Sequence, residues 1–492
     1  MALDIGARVT LARFCAGSAR PLPLEVPDAV LARLRRARAV VDRLAAGPAP
    51  VYGLNTGLGG NLGHRLAPDE IAAFQAQIVA GRAVAIGDAL PEATGRGMLL
   101  ARIVSAARGR SGMSPELFLH LVAVYRAGLS PVVPEWGSIG AADLTVNAVW
   151  AQALLGQGEI WADGARHPAA QALEAAGLAP PDLQPRDAMA LINTGAFSVA
   201  RSAVALQAAR EAMAMTRGAA LLSYAGYGAN RDVLRADINA LRPAPGQAEA
   251  AAWFADRLAG QKDAPRRVQE ALSFRLVATV TGAAADALAR AVAVWEDEAN
   301  AGADSPAVLA ETGEMLSTAH FHAPALALAL EGVALAMAML ANGAVQRVQK
   351  LMDPGVSGLP KYLSPVGGAS AGMVPMQKTC AALLAEIRRQ AMPVAFDPAP
   401  VSDSVEDMAP QTPLAAAKLA QQMRALRLLT GAEALAAAQA IDLRGPAALA
   451  PEVARLHRAV RARVTMLEED RALGPDIAAA ADALEEATAE GA

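Results

Sequence analysis

Residues Ala323 to Ala344 are apolar almost throughout, and that run allows the chain few folds. It is long enough to span a bilayer. Pro324 opens it, Glu331 interrupts it, and Asn342 and Gly343 sit near its end. A helix that is apolar on all sides can also lie at the centre of a large soluble bundle. No second segment stands out as a membrane partner for it. A buried central helix is therefore the expectation. From Ala196 to the mid-440s the pattern is one long amphipathic helix after another. Ala and Leu, both strong helix formers, dominate the chain. An all-α fold with a long central helical bundle follows. Three regions are expected: a smaller loop-rich region over residues 1–195, the bundle over 196–445, and a charged helical tail over 446–492.

Composition narrows the function. A net charge of −4 over 492 residues, with no long basic run, gives no reason to expect nucleic acid. Cys15 and Cys380 are too few for a disulfide framework. The first residues lack a basic stretch followed by an apolar one, so no signal peptide is expected. A cytoplasmic protein with no membrane partner is the expectation.

The loop-rich region starts with a short irregular or strand-like piece, Arg8 to Leu11. A helix follows Pro27-Asp28, with Val30, Leu34, Ala37, Val41 and Leu44 on one face. Further helices are expected over 69–85, 91–110 and 145–155, then a hairpin and a connecting helix over 157–185. The block Tyr52-Gly53-Leu54-Asn55-Thr56-Gly57-Leu58-Gly59-Gly60 is too rich in glycine for a helix and reads as a loop.

Several strings in these breaks carry a resemblance. Gly137-Ser138-Ile139-Gly140-Ala141-Ala142-Asp143-Leu144 is similar to the cofactor loop of the histidine and aromatic amino acid ammonia-lyases. The Tyr52 loop resembles that family's Tyr-Gly-x-Asn-Thr-Gly-Phe-Gly. Leu191-Ile192-Asn193-Thr194-Gly195 is similar to its Leu-Ile-Asn-Gly-Thr, with the last two residues exchanged. Val268 to Arg275, Met352-Asp353-Pro354, and Glu298 to Pro306 match further strings. The resemblance covers roughly residues 50–445 and rests on many separate matches.

It implies a fold of the ammonia-lyase and fumarase-like type, assembled as a homotetramer with active sites shared between subunits. It implies loss of an amine from Cα and a proton from Cβ of a small amino acid. It also implies roles. Tyr52 is the general base, Arg275 the carboxylate clamp, Asn193 a substrate holder and Glu406 a partner for ring nitrogen. Arg82 stands where a histidine-specific relative has a histidine near the substrate ring. His320 and Lys378 stand at further site positions where the family has Asn and an aromatic residue. Lys378 lies among Met373, Val374, Met376, Cys380 and Leu383. That setting predicts a charge that is either paired or pushed towards neutrality. The His320-Phe321-His322 triplet is a weak metal signal, and no metal is expected.

One departure is sharper than the rest. The family forms its electrophile, methylidene-imidazolone (MIO), from an Ala-Ser-Gly tripeptide. Between Gly140 and Asp143 this chain has only Ala141 and Ala142. The nearby Gly137-Ser138-Ile139 would have to cyclise through the amide of a β-branched residue, which is crowded. No such cofactor is expected. A substrate that needs none carries a quaternary ammonium, which leaves as a neutral trialkylamine. The remaining work is removal of the Cβ proton. The sequence thus resembles the branch of the family that releases trimethylamine from ergothioneine, a histidine betaine, to give thiourocanate. Hercynine lyase, ordinary ammonia-lyase or aminomutase, and non-catalytic scaffold are the alternatives.

Overall fold

The computed structural model describes residues 2–57, 63–242, 244–261, 267, 269–395, 400–445 and 448–489. Leu58 to Gly60 of the Tyr52 loop, Pro243, Val268 and the last three residues lie outside the described residues. Helices dominate and the strands are short, so the all-α expectation holds. Backbone contacts divide the chain into two compact units, each discontinuous in sequence. The first is Met1–Gln207, Val292–Leu330 and Pro393–Ala417; the second is Ala208–Ala291, Glu331–Met392 and Lys418–Ala492.

In the first unit, helix starts follow local chemistry. Residues 8–11 are not a strand. Thr10 caps a helix over Leu11–Ala19, its hydroxyl accepting from Arg13 N, and that cap satisfies an otherwise orphaned N–H. The strand lies earlier, Leu3–Asp4, and runs parallel to Leu24–Glu25. Helix Asp28–Ala45 buries Val30, Leu34, Ala37 and Val41, as the spacing predicts. Ser114 caps helix Pro115–Arg126, with Pro115 at its first turn. Helix Pro68–Ala80 stops at Gly81, short of the expected end. The chain turns there to form strand Ile86–Ala89, which pairs with Pro134–Trp136. The expected hairpin is present as Glu159–Ala162 against Ala165–Pro168, followed by helix Ala169–Ala175. Helix Glu92–Ala106 is buried from Thr94 to Ala106. Its Arg102 is fully buried and bonds Asp304, with 2.8 Å between Nη2 and Oδ1.

Four long helices, Ala196–Tyr227, Val277–Ala299, Pro324–Leu351 and Thr412–Arg444, contribute turns to both units. Within the second unit Arg347 Nε meets Glu433 Oε1 at 2.5 Å, and Ser223 Oγ donates to the same oxygen at 2.8 Å. Pairing and hydrogen bonding offset the desolvation of both buried charges.

Helix Pro324–Leu351 contains the long apolar run, and it corrects two expectations. Leu330, Val333, Met337 and Ala341 are buried, but Leu335 and Met339 are 52% and 58% exposed. One face of the run is therefore open in the single chain. Nor is the run alone in its hydropathy. Asp187–Tyr227 and Val277–Ala299 are also long and apolar enough to cross a membrane by length and composition. Apolar residues on all sides fit a helix packed against other helices as well as they fit a lipid environment.

Candidate active site

Six segments of the first unit meet around a cavity of about 560 Å³. Tyr52, Arg82, Ala141, Ala142, Asn193 and Glu406 all line it. Leu144, Met189, Ser305, Thr318 and Phe321 are among the residues that complete the wall. Most of the expected site therefore assembles within one chain.

The Tyr52 loop is held from below by Asn55. The Asn55 amide donates to Ala49 O at 3.0 Å, and its Oδ1 accepts from Val51 N at 2.7 Å. Gly53 has φ +69°, a conformation that disfavours side chains. A Cβ there would lie 3.1 Å from Nη1 of Arg186. Arg186 was not singled out from sequence. It is fully buried, with Nε donating to Ser111 O at 3.1 Å and Nη2 to Pro306 O at 2.8 Å. Its Nη1 has no hydrogen-bond partner. Burial lowers its pKa to about 10, while Asp304 and Tyr52 pull the other way. Arg82 follows the end of helix Pro68–Ala80, and its Nη1 donates to Ile78 O at 3.3 Å. Burial lowers its pKa too, opposed by Tyr52. Two guanidiniums thus lie within electrostatic reach of Tyr52.

Asn193 Nδ2 donates to Ser305 O at 2.5 Å. Glu406 arrives on a tight loop in which Ser402, Asp403 and Ser404 all have positive φ. Ser402 Oγ donates to Glu406 Oε1 at 3.1 Å, and Val401 and Glu406 pair as a short bridge. Non-glycine residues in that region cost roughly 1 kcal/mol or more each, so the loop is held by its surroundings.

The two alanines sit in a similarly strained turn. Gly140, Ala142 and Asp143 all have positive φ. Ala142 O accepts from Thr194 N at 3.2 Å and from Asn147 Nδ2 at 3.1 Å. Asn147 also donates to Ile192 O and Thr194 O, tying the loop to the Asn193 segment. Asp143 is buried and accepts from Ser198 N at 2.8 Å, Ser198 Oγ at 3.0 Å and Ser138 Oγ. Ser138 Oγ also accepts from Gly140 N at 3.0 Å. Ser138, which precedes this turn in sequence, is therefore committed to Asp143. With no serine between Gly140 and Asp143, the residues present do not fit a methylidene-imidazolone.

Behind this turn stands Glu298, which sequence reasoning treated only as part of a string. Its Oε1 lies 4.0 Å from where a Cβ of Gly195 would be. Burial, and then the Asp143 charge, raise its pKa from 4.5 to about 7. An acid whose pKa is higher folded than unfolded binds more protons in the folded state. Stability should therefore fall as pH rises from about 4.5 to about 7, by on the order of 3 kcal/mol at most. Glu298→Gln should flatten that part of the curve, as measured by melting temperature across the window. An unchanged slope in the variant would remove Glu298 as its source.

Three expected catalytic or substrate-binding residues, Arg275, Lys378 and His320, do not line this cavity, nor do Gly140 and Asp143 of the alanine turn. Arg275 closes the short helix Leu272–Arg275, and Lys378 lies on helix Met376–Gln390; both belong to the second unit. Lys378 is exposed, contrary to the apolar setting its neighbours suggest. Met376, Cys380, Leu384 and Ile387 occupy the buried face of that helix, and Lys378 falls on the other. His320 is exposed too, its N bonded to Thr318 Oγ1 at 3.3 Å. Its neighbours Thr318 and Phe321 face the cavity in its place.

Known proteins share this fold. The family model for aromatic amino acid lyase matches residues 9–462. Histidine ammonia-lyase of Paracidovorax citrulli is 36% identical over 478 residues, which is 96% of this chain and 93% of that protein. Ergothionase of Treponema denticola, an ergothioneine-degrading enzyme solved in complex with desmethyl-ergothioneine sulfonic acid, superposes with a TM-score of 0.95. It is 28% identical, with 99% of each chain covered. Histidine ammonia-lyase from Trypanosoma cruzi gives 0.91 at 26% identity, covering 99% of this chain and 94% of that one.

Proposed function

We propose, on the premise that the chain belongs to the aromatic amino acid lyase family, that it eliminates trimethylamine from ergothioneine and leaves thiourocanate. The observation that carries this reading is the cavity wall at Ala141 and Ala142. The family's electrophile-forming tripeptide is replaced there, while Tyr52, Arg82, Asn193 and Glu406 still surround the space. The likeness to an ergothioneine-degrading enzyme over the full chain supports it.

The chemistry needs no electrophile. A quaternary ammonium already bears its positive charge and departs with the Cα–N electron pair as neutral trimethylamine. Tyr52, as phenolate, takes the Cβ proton, and the C–H electrons become the new Cα–Cβ double bond. Charge that builds next to the ring is taken up by the thioimidazole, with Glu406 accepting from ring N–H and Arg82 facing sulfur. Positioned proton transfer and fixed charges of this kind supply the rate.

Arg275 and Lys378 take their roles, carboxylate clamp and second cation, from neighbouring copies in a homotetramer. The open apolar residues of the second unit support that assembly. Leu272, Leu335 and Met339, each more than half exposed, line one cavity there.

The test is to supply ergothioneine, hercynine and histidine separately and to assay trimethylamine, ammonia and conjugated-acid absorbance. Trimethylamine from ergothioneine, with no ammonia from histidine, is the expected result. A second reading, histidine ammonia-lyase, is favoured by the sequence relatives. Ammonia from histidine, with an intact mass two waters below that of the chain, would establish it instead.

A further inference from the structure

The second unit holds another cavity, of about 170 Å³, lined by three arginines, a tryptophan and Glu452 among others. Arg217, from helix Ala196–Tyr227, points its guanidinium at the Trp253 ring, 5.7 Å from the ring centre. Arg257 covers the same ring at 4.4 Å. Arg455 closes the cavity and, with Arg257, lines an adjoining cleft of about 690 Å³ that also carries Arg458.

Glu452 also lines this cavity and is paired there with Arg455 through two bonds of 2.8 and 2.7 Å, and Arg455 Nη1 donates to Ala487 O at 2.9 Å, so these two charges neutralise each other. Asp256 is 3.5 Å from Arg257 and 81% exposed. Glu249 acts on Arg217 only from beyond ion-pairing distance, and Arg217 has no ion pair among the described residues. Its Nε is buried with no hydrogen-bond partner. Burial, and then the neighbouring Arg257, hold this guanidinium below the ordinary arginine range. A charge withdrawn from water and left unpaired is costly, and a like charge beside it adds to the cost.

We propose that Arg217 and Arg257 form a binding site for a small oxyanion of the phosphate class, bound against Trp253 and distinct from the lyase cavity. An anion there pairs with Arg217 and relieves its repulsion from Arg257. Planar guanidiniums present parallel N–H donors that suit phosphate oxygens. The cavity is large enough to admit a tetrahedral ion. The adjoining cleft, with Arg458 at its side, leads to solvent and would take the remainder of a phosphomonoester.

The experiment uses the full chain. Melting temperature is followed as inorganic phosphate replaces chloride at constant ionic strength, and again with glycerol phosphate. A ligand that binds only the folded state raises the melting temperature in a dose-dependent way. The wild type should rise by several degrees with a response that flattens as the site fills. Arg217→Met keeps the packing against Trp253 and removes the unpaired charge. In chloride it should melt at or above the wild type, and in phosphate below it. Only the weak, unsaturating salting-out response shared by both proteins should remain in the variant. Tighter half-saturation by glycerol phosphate would identify the occupant as a phosphomonoester, and tighter half-saturation by phosphate would identify the free ion. Equal phosphate responses in wild type and variant would overturn the site. A variant that melts below wild type in chloride would do so as well, because Arg217 would then be a structural prop.

Discussion

A Tyr52→Phe variant is expected to turn over ergothioneine about 10²–10⁴-fold more slowly than the wild type, the range that positioned proton transfer supplies. The substitution removes one oxygen and nothing that holds the loop together. That loop is pinned by Asn55, through its bonds to Ala49 and Val51, and not by the Tyr52 hydroxyl. Melting temperature should therefore stay at the wild-type value while turnover collapses. Full retention of turnover would remove Tyr52 as the base. The same variant tests the shared site. If Lys378 serves a neighbouring copy, co-expression of Tyr52→Phe with Lys378→Met should restore part of the activity, since some mixed sites then carry both native residues. Chains that combine the two within one site of their own would show no recovery.

Asp304→Ala is expected to destabilise the protein by about 3–5 kcal/mol, because it strands the buried Arg102 guanidinium without its counter-charge. Both side chains are fully buried, and Arg102 makes two contacts to the Asp304 carboxylate, at 2.8 and 3.4 Å. Arg102 Nη1 keeps only Ser105 Oγ, at 3.0 Å, and its Nε has no partner even in the native chain. Arg186 also loses a carboxylate that favours its charge. Asp304→Asn keeps an acceptor oxygen and should lose less. Denaturant unfolding of the two variants measures the difference. Because the next residue, Ser305, receives the Asn193 bond and lines the cavity, activity should fall before the protein unfolds. A loss below about 1 kcal/mol would mean that the pair is not desolvated as described.

Periodicity in the sequence was enough to place most helices, because a buried stripe repeats every 3.6 residues wherever a helix packs. It located helix Asp28–Ala45 and its buried face, and the hairpin before helix Ala169–Ala175. Of the two readings open at Arg8 to Leu11, irregular or strand-like, the irregular one holds as far as Thr10, whose cap starts a helix at Leu11. Sequence misplaced Lys378, because apolar neighbours in sequence lie on several faces of a helix and the lysine occupies the exposed one.

At the site, the residues that face the cavity from recognisable loops were legible. Tyr52, Asn193, Glu406 and the paired alanines each sit in a string with its own spacing. Arg186, which lies in none of the quoted strings, and Glu298, which opens one, were not. Nothing in a linear sequence says that Arg186 lies beneath Gly53, or that Glu298 stands behind Gly195 near the Asp143 carboxylate. Those relations arise only when segments separated by more than one hundred residues pack together and exclude water. Sequence alone determined the helical class, the family and the loss of the serine between Gly140 and Asp143. Only the tertiary structure decided which charges are buried, which partners they keep, and which of the expected residues share one cavity. Burial and partnership set the free energy of a charge, and both are properties of the packed chain.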